Sequence, residues 1–265
     1  MVNHPASAVL DIQQYYRDRA STNKYATSPD FNLREVENEY LSRQLRDGVK
    51  VLDVGCGNGY STLSHAARWD AQFTGVDFVS EMVDAAKDLA AQFKLRGQVD
   101  FRTGDVTDLD FPDESFDFVI TQRCLLNLTS REDQWKGMRE IARVLKPGGV
   151  YLMMEGTLQG LRALNELRVQ FDLDPIPEAE NTYNWFSNKF DEPEMLEVAR
   201  SLFREHMGIQ RFGMYYFISR IVHPLLVSPE APKFDAPINA VAQMLCRKIP
   251  DYDQIGHVAL FMFRR

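Results

Sequence analysis

The stretch VLDVGCGNGYS, Val51 through Ser61, is the most informative part of the sequence, because an apolar run ends in an acid and then in three glycines at alternate positions. We predict a buried strand that enters the loop Gly55–Gly59 and a helix that begins at about Tyr60. Glycine permits unusual backbone angles and removes the β-carbon, so a ligand can approach the backbone at the N-terminus of that helix. Taken alone, the stretch also fits a tight turn without a ligand.

Short apolar segments alternate with amphipathic helices after this loop, which is typical of a doubly wound α/β sheet. The strand candidates are KVLDVG, FTGVD, VDFRTGD, FDFVITQ and VYLMMEG. Two helices, from about Ala6 to Arg19 and from Asp30 to Arg46, precede the first strand. Ser80, Ser130 and Asp191 are predicted to cap later helices. A mostly helical insertion follows the fifth strand, and IQRFGMYYFIS and GHVALFMF are predicted as the closing strands.

Composition excludes several classes of protein. The chain of 265 residues has a net charge of -8, which opposes a nucleic-acid interface, because such an interface needs clustered Lys and Arg. Its three cysteines lack the spacing of a metal site and are typical of reduced thiols in a cytoplasmic protein. Neither a secretion signal nor an apolar run of about 18 residues is present, so we expect no membrane insertion.

Three acids at successive strand tips indicate the ligand. Asp53, just before the glycine loop, favours a cationic group there rather than a pyrophosphate. Asp77 can accept hydrogen bonds from both ribose hydroxyls, and Asp105 can accept one from the amine of adenine. A dinucleotide fingerprint would also need Gly or Ala where Tyr60 stands. The pattern therefore predicts S-adenosylmethionine rather than NAD.

The segment from about Lys50 to Glu155 resembles the class I S-adenosylmethionine-dependent methyltransferases of the small-molecule type. The resemblance rests on VLDVGCGNG, GVDFVSEMV, TGDVTDLDFPDESFDFVIT and EIARVLKPGG. It implies a Rossmann-like, doubly wound sheet of seven strands whose last strand is antiparallel. Where many relatives have VLHHL after the fourth strand, this chain has CLLNL, so Asn127 occupies the position of the second histidine. An amide there cannot act as a base, although it can orient a substrate by hydrogen bonds.

The resemblance also implies a set of cofactor-binding residues. Asp53 and the glycine loop would hold the methionine part, Asp77 the ribose, and Asp105 with Val106 the adenine. The complete predicted set is Tyr16, Tyr25, Asp53, Gly55, Cys56, Gly57, Gly59, Asp77, Phe78, Met82, Gly104, Asp105, Val106 and Gln122.

We predict one methyltransferase domain over residues 1–265. Its parts are an N-terminal helical lid (1–48), a cofactor-binding core (49–156), a substrate-side insertion with the sixth strand (157–235), and the last helix and strand (236–265).

Residues for catalysis and for acceptor binding are less clearly marked. Asn127, Glu155 and His223 are the catalytic candidates, Asn127 as an orienting amide and the other two as bases. Arg123, Tyr215 and Tyr216 are the candidates for binding the acceptor. Each also fits a purely structural role. A charged residue in a loop often faces water, and a tyrosine of an amphipathic segment often packs in the core. Tyr183, Trp185 and Phe186 add aromatic surface to the insertion, which suits a small organic acceptor.

The sequence thus predicts a cytoplasmic enzyme that transfers a methyl group to an oxygen, or a nitrogen, of a small molecule in the biosynthesis or modification of a natural product or sugar. No metal is expected, and a homodimer is left open. The alternative is a non-catalytic subunit or regulator that binds S-adenosylmethionine, and a dinucleotide oxidoreductase is the weaker rival.

Overall fold

The computed structural model describes residues 6–20, 25–26, 28–178, 187–249 and 254–265. The strands within these ranges are β1 (Lys50–Val54), β2 (Gln72–Asp77), β3 (Gln98–Thr103), β4 (Phe116–Gln122), β5 (Leu145–Gly156), β6 (Glu205–Arg211) and β7 (Val258–Arg264). The helices are α1 (Ala6–Arg17), α2 (Phe31–Gln44), α3 (Tyr60–Arg68), α4 (Ser80–Ala90), α5 (Arg131–Val144), α6 (Leu158–Gln170), α7 (Glu192–Leu202), α8 (Gly213–Phe217), α9 (His223–Val227) and α10 (Pro237–Cys246).

The strands form one seven-stranded sheet in the order β3-β2-β1-β4-β5-β7-β6. Strands β1 to β5 pair in parallel, whereas β7 is antiparallel to both β5 and β6. The predicted fold class, including the antiparallel last strand and the helical insertion after β5, is confirmed. The C-terminal ends of β1 to β6 therefore meet the N-terminal end of β7 at one edge of the sheet, which we call the carboxyl edge.

The apolar run of β1 is buried because helices cover both faces of the sheet. Successive side chains of a strand point to opposite faces. Val51 accordingly belongs to an apolar cluster with Val36 of α2, while Leu52 belongs to another with Ile141 of α5. A central strand buried on both faces reads as a continuous apolar run, as seen before the glycine loop.

Two local predictions were wrong. The segment IQRFGMYYFIS is strand only up to Arg211, and from Gly213 to Val227 the backbone is helical, with a π turn over Ile218–Val222. A short aromatic run without clear alternation fits a buried helix as well as a buried strand, so the pattern of apolar residues does not distinguish the two structures. Ser80 is the first residue of α4 and not its cap, which is Val79.

The other two predicted caps are confirmed. The hydroxyl of Ser130 accepts a hydrogen bond from the backbone N–H of Asp133 at 3.0 Å. The carboxylate of Asp191 accepts one from the N–H of Glu194 at 3.3 Å.

The glycine loop after β1 contains positions with different demands. Gly59, at φ +74°, precedes α3, and a β-carbon there would lie 2.7 Å from side-chain atoms of Ala86 and of Phe101. Gly57, at φ +56°, has no atom within 4 Å of such a β-carbon. The loop thus needs Gly59 for packing against α4 and β3, whereas Gly57 leaves open space in front of the backbone.

Glu155, next to the last residue of β5, holds the turn that follows β4. Its carboxylate accepts hydrogen bonds from the backbone N–H groups of Cys124 and Leu125 at 3.0 Å each and from that of Leu126 at 3.2 Å. The side chain is fully buried, and burial raises the pKa of Glu155 to about 7 although the three N–H donors lower it. The residues after β4 are therefore fixed to the neighbouring strand.

Replacing Gly59 by Ala should destabilise the fold more than the same change at Gly57. Both variants place a β-carbon at positive φ, which costs about 1–2 kcal/mol. Gly59→Ala adds overlap with Ala86 and Phe101, which costs about a further 1–3 kcal/mol. Equilibrium urea unfolding measures both, and equal losses would contradict the packing role of Gly59.

Glu155→Gln should remove a pH-dependent loss of stability. The pKa of Glu155 in the folded protein lies above its ordinary value of 4.5. The folded protein therefore holds the proton of Glu155 more tightly than the unfolded chain does. This contribution to stability is complete below about pH 4.5 and is lost as the pH rises through about 7. We expect the unfolding free energy of the wild type, relative to the variant, to fall by about 3 kcal/mol over this range, measured by urea unfolding.

Glu140 supplies the matched control for this experiment. Hydrogen bonds from Arg143 lower the pKa of Glu140, so its contribution is lost only when the pH falls below the ordinary range of a glutamate. Relative to Glu140→Gln, the wild type should show no such decline between about pH 4.5 and 7. The same slope for both variants would contradict the assignment to Glu155.

Candidate active site

A cavity of about 300 Å³ lies at the carboxyl edge, over the ends of β1 to β4; we call it the larger cavity. Twelve of the fourteen predicted cofactor residues line it. They are Tyr16, Tyr25, Gly55, Cys56, Gly57, Asp77, Phe78, Met82, Gly104, Asp105, Val106 and Gln122. Ten of the twelve lie at or just after the ends of β1 to β4, which meet at this edge of the sheet, and Tyr16 and Tyr25 come from the residues before β1.

Asp53 and Gly59 belong to the support of the loop and are not among the residues that line the larger cavity. Asp53 is buried, and its carboxylate accepts a hydrogen bond from the Thr62 hydroxyl at 2.5 Å, which ties β1 to α3. Burial raises the pKa of Asp53 to about 6. The direct contact with a ligand that the sequence predicts for these two residues is therefore not supported, because both pack behind the loop.

Asp77 connects the loop after β1 with the loop after β2. One carboxylate oxygen accepts from the N–H of Gly57 at 2.8 Å, and the other accepts from the N–H of Val79 at 3.0 Å. Burial raises the pKa of Asp77, against the hydrogen bonds from these backbone groups. A carboxylate offers about four lone-pair sites, so both oxygens keep the capacity to accept from hydroxyls of a ligand.

Asp105 presents a second carboxylate to the larger cavity. Its Oδ1 atom accepts from the backbone N–H of Thr107 at 2.8 Å and from the hydroxyl of Thr107 at 2.9 Å. These two bonds fix the side chain at the tip of the loop after β3. Asp77 and Asp105 therefore form an acidic, acceptor-rich wall.

Apolar and aromatic side chains form the rest of this half of the larger cavity. Met82 is fully buried, Val106 is buried, and Phe78 is 39% exposed. Tyr25, from the segment before α2, packs edge-on against Tyr60 with ring centroids 4.7 Å apart. The residues before β1 thus contribute directly to the cavity wall.

A buried ionic cluster lines the opposite end of the larger cavity, and the sequence analysis missed it. The fully buried carboxylate of Glu37 accepts hydrogen bonds from Arg34 at 3.0 Å, from Gln122 at 3.1 Å and from Arg123. Gln122 in turn accepts from the Ser61 hydroxyl at 3.0 Å. We call Ser61, Arg34, Glu37, Gln122 and Arg123 the Glu37 cluster.

The Glu37 cluster carries an excess positive charge, because two guanidinium groups share one carboxylate. The Nε atoms of Arg34 and Arg123 are both buried and have no hydrogen-bond partner among the described residues. Burial, followed by repulsion from Arg123, lowers the pKa of Arg34 against the attraction of Glu37. A buried cation with a free donor is suited to bind an anionic group, which would satisfy the donor and balance the charge.

Asn127 and Arg123 both belong to the turn after β4. Asn127 lines the larger cavity, and its amide donates to the carbonyl of Arg123 at 2.7 Å, so it helps to hold the turn. Arg123 has a φ of +58°, a backbone conformation that is uncommon for a residue other than glycine. Glu155 fixes the same turn from behind and does not line the larger cavity. Its predicted role as a base is therefore not supported by its position.

A second cavity, of about 90 Å³, adjoins the larger one at Arg123; we call it the smaller cavity. It lies further along the carboxyl edge, between the ends of β4 and β5 and the start of β7. Its described lining residues are Arg123, Leu126, Gly156, Leu161, Ile176, Pro177, Ser187, Lys189, His257 and Val258.

The remaining predicted residues lie away from both cavities. His223 is buried in α9, and burial, with repulsion from Arg220, lowers its pKa. Tyr215 donates to Asp30 at 2.5 Å, and Tyr216 is fully buried beside it. None of these three lines either cavity, because α8 and α9 turn them into the core rather than presenting them from a strand. The predicted contacts of Tyr183, Trp185 and Phe186 lie outside the described residues.

Within the described residues, we find no group of three or more His, Cys, Asp or Glu side chains placed to bind a metal ion. In the same part of the chain, every helix is too short or too polar to cross a membrane.

Comparison with known families identifies the domain. Residues 51–149 match the family described as "Methyltransferase domain". The chain is 34% identical over 135 residues to 27-O-demethylrifamycin SV methyltransferase of Amycolatopsis mediterranei, which covers 51% of this chain and 47% of that protein. It is 36% identical over 104 residues to ajmaline N-methyltransferase of Rauvolfia serpentina, and this match covers 39% of this chain and 35% of that protein. The chain therefore spans about half, or less, of the length of these curated relatives.

Solved structures extend the likeness of fold over most of the chain. The PH0226 protein of Pyrococcus horikoshii has a TM-score of 0.59 at 20% identity, covering 95% of this chain and 98% of that one. Geranyl diphosphate C-methyltransferase of Streptomyces coelicolor, solved with S-adenosyl-L-homocysteine, has a TM-score of 0.58 at 17% identity and covers 88% and 78%.

The names of these relatives state methylation on oxygen, nitrogen or carbon. Residues 51–149 therefore match the methyltransferase domain of these proteins, and S-adenosylmethionine is the cofactor.

Proposed function

We propose that this protein transfers a methyl group from S-adenosylmethionine to an oxygen, or a nitrogen, of a small organic acceptor. The observation that carries the proposal is the pair of adjoining cavities at the carboxyl edge, one lined by the predicted cofactor residues and the other beyond Arg123. When bound, the cofactor would supply a methyl group on a positively charged sulfur, so that an acceptor nucleophile bonds to the methyl carbon and the thioether S-adenosylhomocysteine leaves.

The larger cavity fits this cofactor on two independent observations. Gly57 lines the cavity, and the open space where its β-carbon would lie gives a ligand access to the backbone. At the far end, Arg34 offers a buried donor for a carboxylate. Asp77 and Asp105 would accept from the ribose and adenine, Met82 and Phe78 would line the adenosine, and Arg34 would bind the carboxylate of the methionine part.

The protein's main contribution to the reaction is to hold the two partners in line. Fixing reactants in a productive geometry can supply up to about 7–11 kcal/mol without a catalytic base. The loop after β1 is tied to β2 through Asp77, and the turn after β4 is tied to β5 through Glu155, which suits that task. Only an acceptor that is a hydroxyl or a protonated amine needs help from a base as well.

We also propose that the protein works in the cytoplasm, in the biosynthesis or modification of a natural product or sugar, and that it does not act on nucleic acid. Cys56, Cys124 and Cys246 are free thiols, which supports a reducing compartment. The net charge of -8 opposes binding to phosphate backbones.

Calorimetric titration with S-adenosylhomocysteine and, separately, with NADH tests the proposal. We expect the thioether to bind and the dinucleotide not to bind. Asp77→Asn should weaken the thioether by about tenfold or more, since hydrogen bonds from two hydroxyls to a charged carboxylate contribute about 1.5–3 kcal/mol each. Asp100→Asn, at an exposed position of β3, is the control. Equal affinities for the two variants would remove Asp77 from the site.

Turnover distinguishes an enzyme from a subunit that only binds the cofactor. The protein is incubated with S-adenosylmethionine and a panel of small alcohols, phenols, amines and hydroxy acids, and release of S-adenosylhomocysteine is measured. Release that depends on one acceptor and is reduced in Asp77→Asn supports the proposed activity. Cofactor binding without release for any acceptor would favour the non-catalytic alternative.

The role of Arg34 has its own test, which compares two ligands. Arg34→Met should weaken S-adenosylhomocysteine by about tenfold or more, because the carboxylate loses a charge-assisted partner. It should leave the affinity for 5′-methylthioadenosine unchanged, because that ligand lacks the amino-acid part. Calorimetry measures both, and an equal loss for the two ligands would mean that Arg34 only shapes the cavity.

A further inference from the structure

The smaller cavity is placed where a second reactant would lie. It shares Arg123 with the larger cavity and continues past the end of β5 and the start of β7. Neighbouring strands are about 4.8 Å apart, so a molecule anchored at the start of β7 reaches the end of β4 over roughly 10 Å. A small acceptor spans that distance, so the two cavities can serve one reaction.

The polar groups that line the smaller cavity are cationic or uncharged. Arg123 and Lys189 are the charged members, and Ser187 and His257 are uncharged donors or acceptors. The described lining contains no carboxylate. Two acids directly adjoin lining residues along the chain. Glu155 is bound by the backbone N–H groups after β4, and Glu178 pairs with Arg162 at 2.7 Å while its backbone carbonyl accepts from Lys189 at 2.6 Å. Glu37 is shared between Arg34 and Arg123. The charged side chains of the described lining are therefore both cationic in a protein that is acidic as a whole.

His257 gives independent evidence for a polar ligand. Its Nδ1 atom is buried without a hydrogen-bond partner among the described residues, and its ring lies 5.1 Å, edge to face, from the ring of Tyr216. Burial, together with repulsion from Arg123, Arg220 and Lys189, lowers the pKa of His257, so the ring is neutral. A neutral imidazole can donate to an anion or accept from a hydroxyl.

We propose that the smaller cavity is the acceptor subsite and that it binds an oxyanion of the acceptor, a carboxylate or a phosphate, through Arg123 and Lys189 with His257 beside it. The inference rests on the proposed function and narrows it to acceptors that carry an acidic group. Charge-assisted hydrogen bonds from a guanidinium and an ammonium to such a group are among the strongest that a protein makes. The acidic group would occupy the smaller cavity, which leaves the rest of the acceptor to face the larger one.

Small anions serve as probes, because the acceptor is unidentified. The full chain, saturated with S-adenosylhomocysteine and labelled at histidine, is titrated with acetate, with inorganic phosphate and with neutral acetamide at constant ionic strength. NMR follows the ring signal of His257, which is assigned from the variant His257→Gln. We expect a saturable shift with at least one anion and none with acetamide, and the anion that binds more tightly identifies the acidic group as carboxylate or phosphate.

Lys189→Met is the decisive variant, because Lys189 lines the smaller cavity and is not among the residues that line the larger one. It should weaken the anion by about tenfold or more while leaving the affinity for S-adenosylhomocysteine unchanged. Lys146→Met is the matched control, since Lys146 pairs with Asp117 at 2.8 Å in a separate surface groove. The control should bind the anion as the wild type does.

The outcomes separate this inference from the proposed function. If S-adenosylhomocysteine binds but neither anion shifts the His257 signal, the oxyanion subsite is wrong and the cofactor site stands. A shift with acetamide equal to that with the anions, or equal losses in Lys189→Met and Lys146→Met, would also overturn it. If S-adenosylhomocysteine itself does not bind, the proposed function fails first.

Discussion

The carboxylate of Glu37 is the constraint on which the arrangement of the site depends. It lies on α2, outside the sheet, yet it accepts hydrogen bonds from Gln122 and Arg123 at the end of β4. Removing one partner of a buried ion pair costs about 3–5 kcal/mol, because the other charge is left without compensation. The helix before β1 is therefore fixed to the carboxyl edge by an ionic interaction, and Tyr25 and Arg34 are held at the larger cavity with it.

Two further carboxylates extend this arrangement along the edge of the sheet. Asp77 accepts from the backbone of the glycine loop, and Glu155 accepts from three successive N–H groups after β4. In each case an acid at the end of one strand holds the loop that follows its neighbour. Loops that are bonded to one another in this way can keep a ligand in one orientation, which is the main requirement for an in-line transfer.

The sequence could predict the parts of this site that depend on local chemistry. The glycine loop, the acids at the tips of β2 and β3 and the order of strands and helices have patterns of their own, and twelve residues of the predicted cofactor set line one cavity. Glu37 has no such pattern, because a charged residue on a polar helix reads as solvated until the partner strand is known. His257 has no such pattern either, since its place at the smaller cavity depends on the pairing of β7 with β5.

The distribution of charge along the carboxyl edge gives the two cavities different chemistry. The tips of β2 and β3 present the carboxylates of Asp77 and Asp105, whereas the end of β4 presents Arg123, backed by Arg34. A ligand with hydroxyls at one end and a carboxylate at the other matches this gradient in one direction only. Because Arg123 also faces the smaller cavity, its charge is available to both sides, and Glu37 balances only one of the two guanidinium groups. A single anion beside the two guanidinium groups would therefore balance the charge that Glu37 leaves uncompensated.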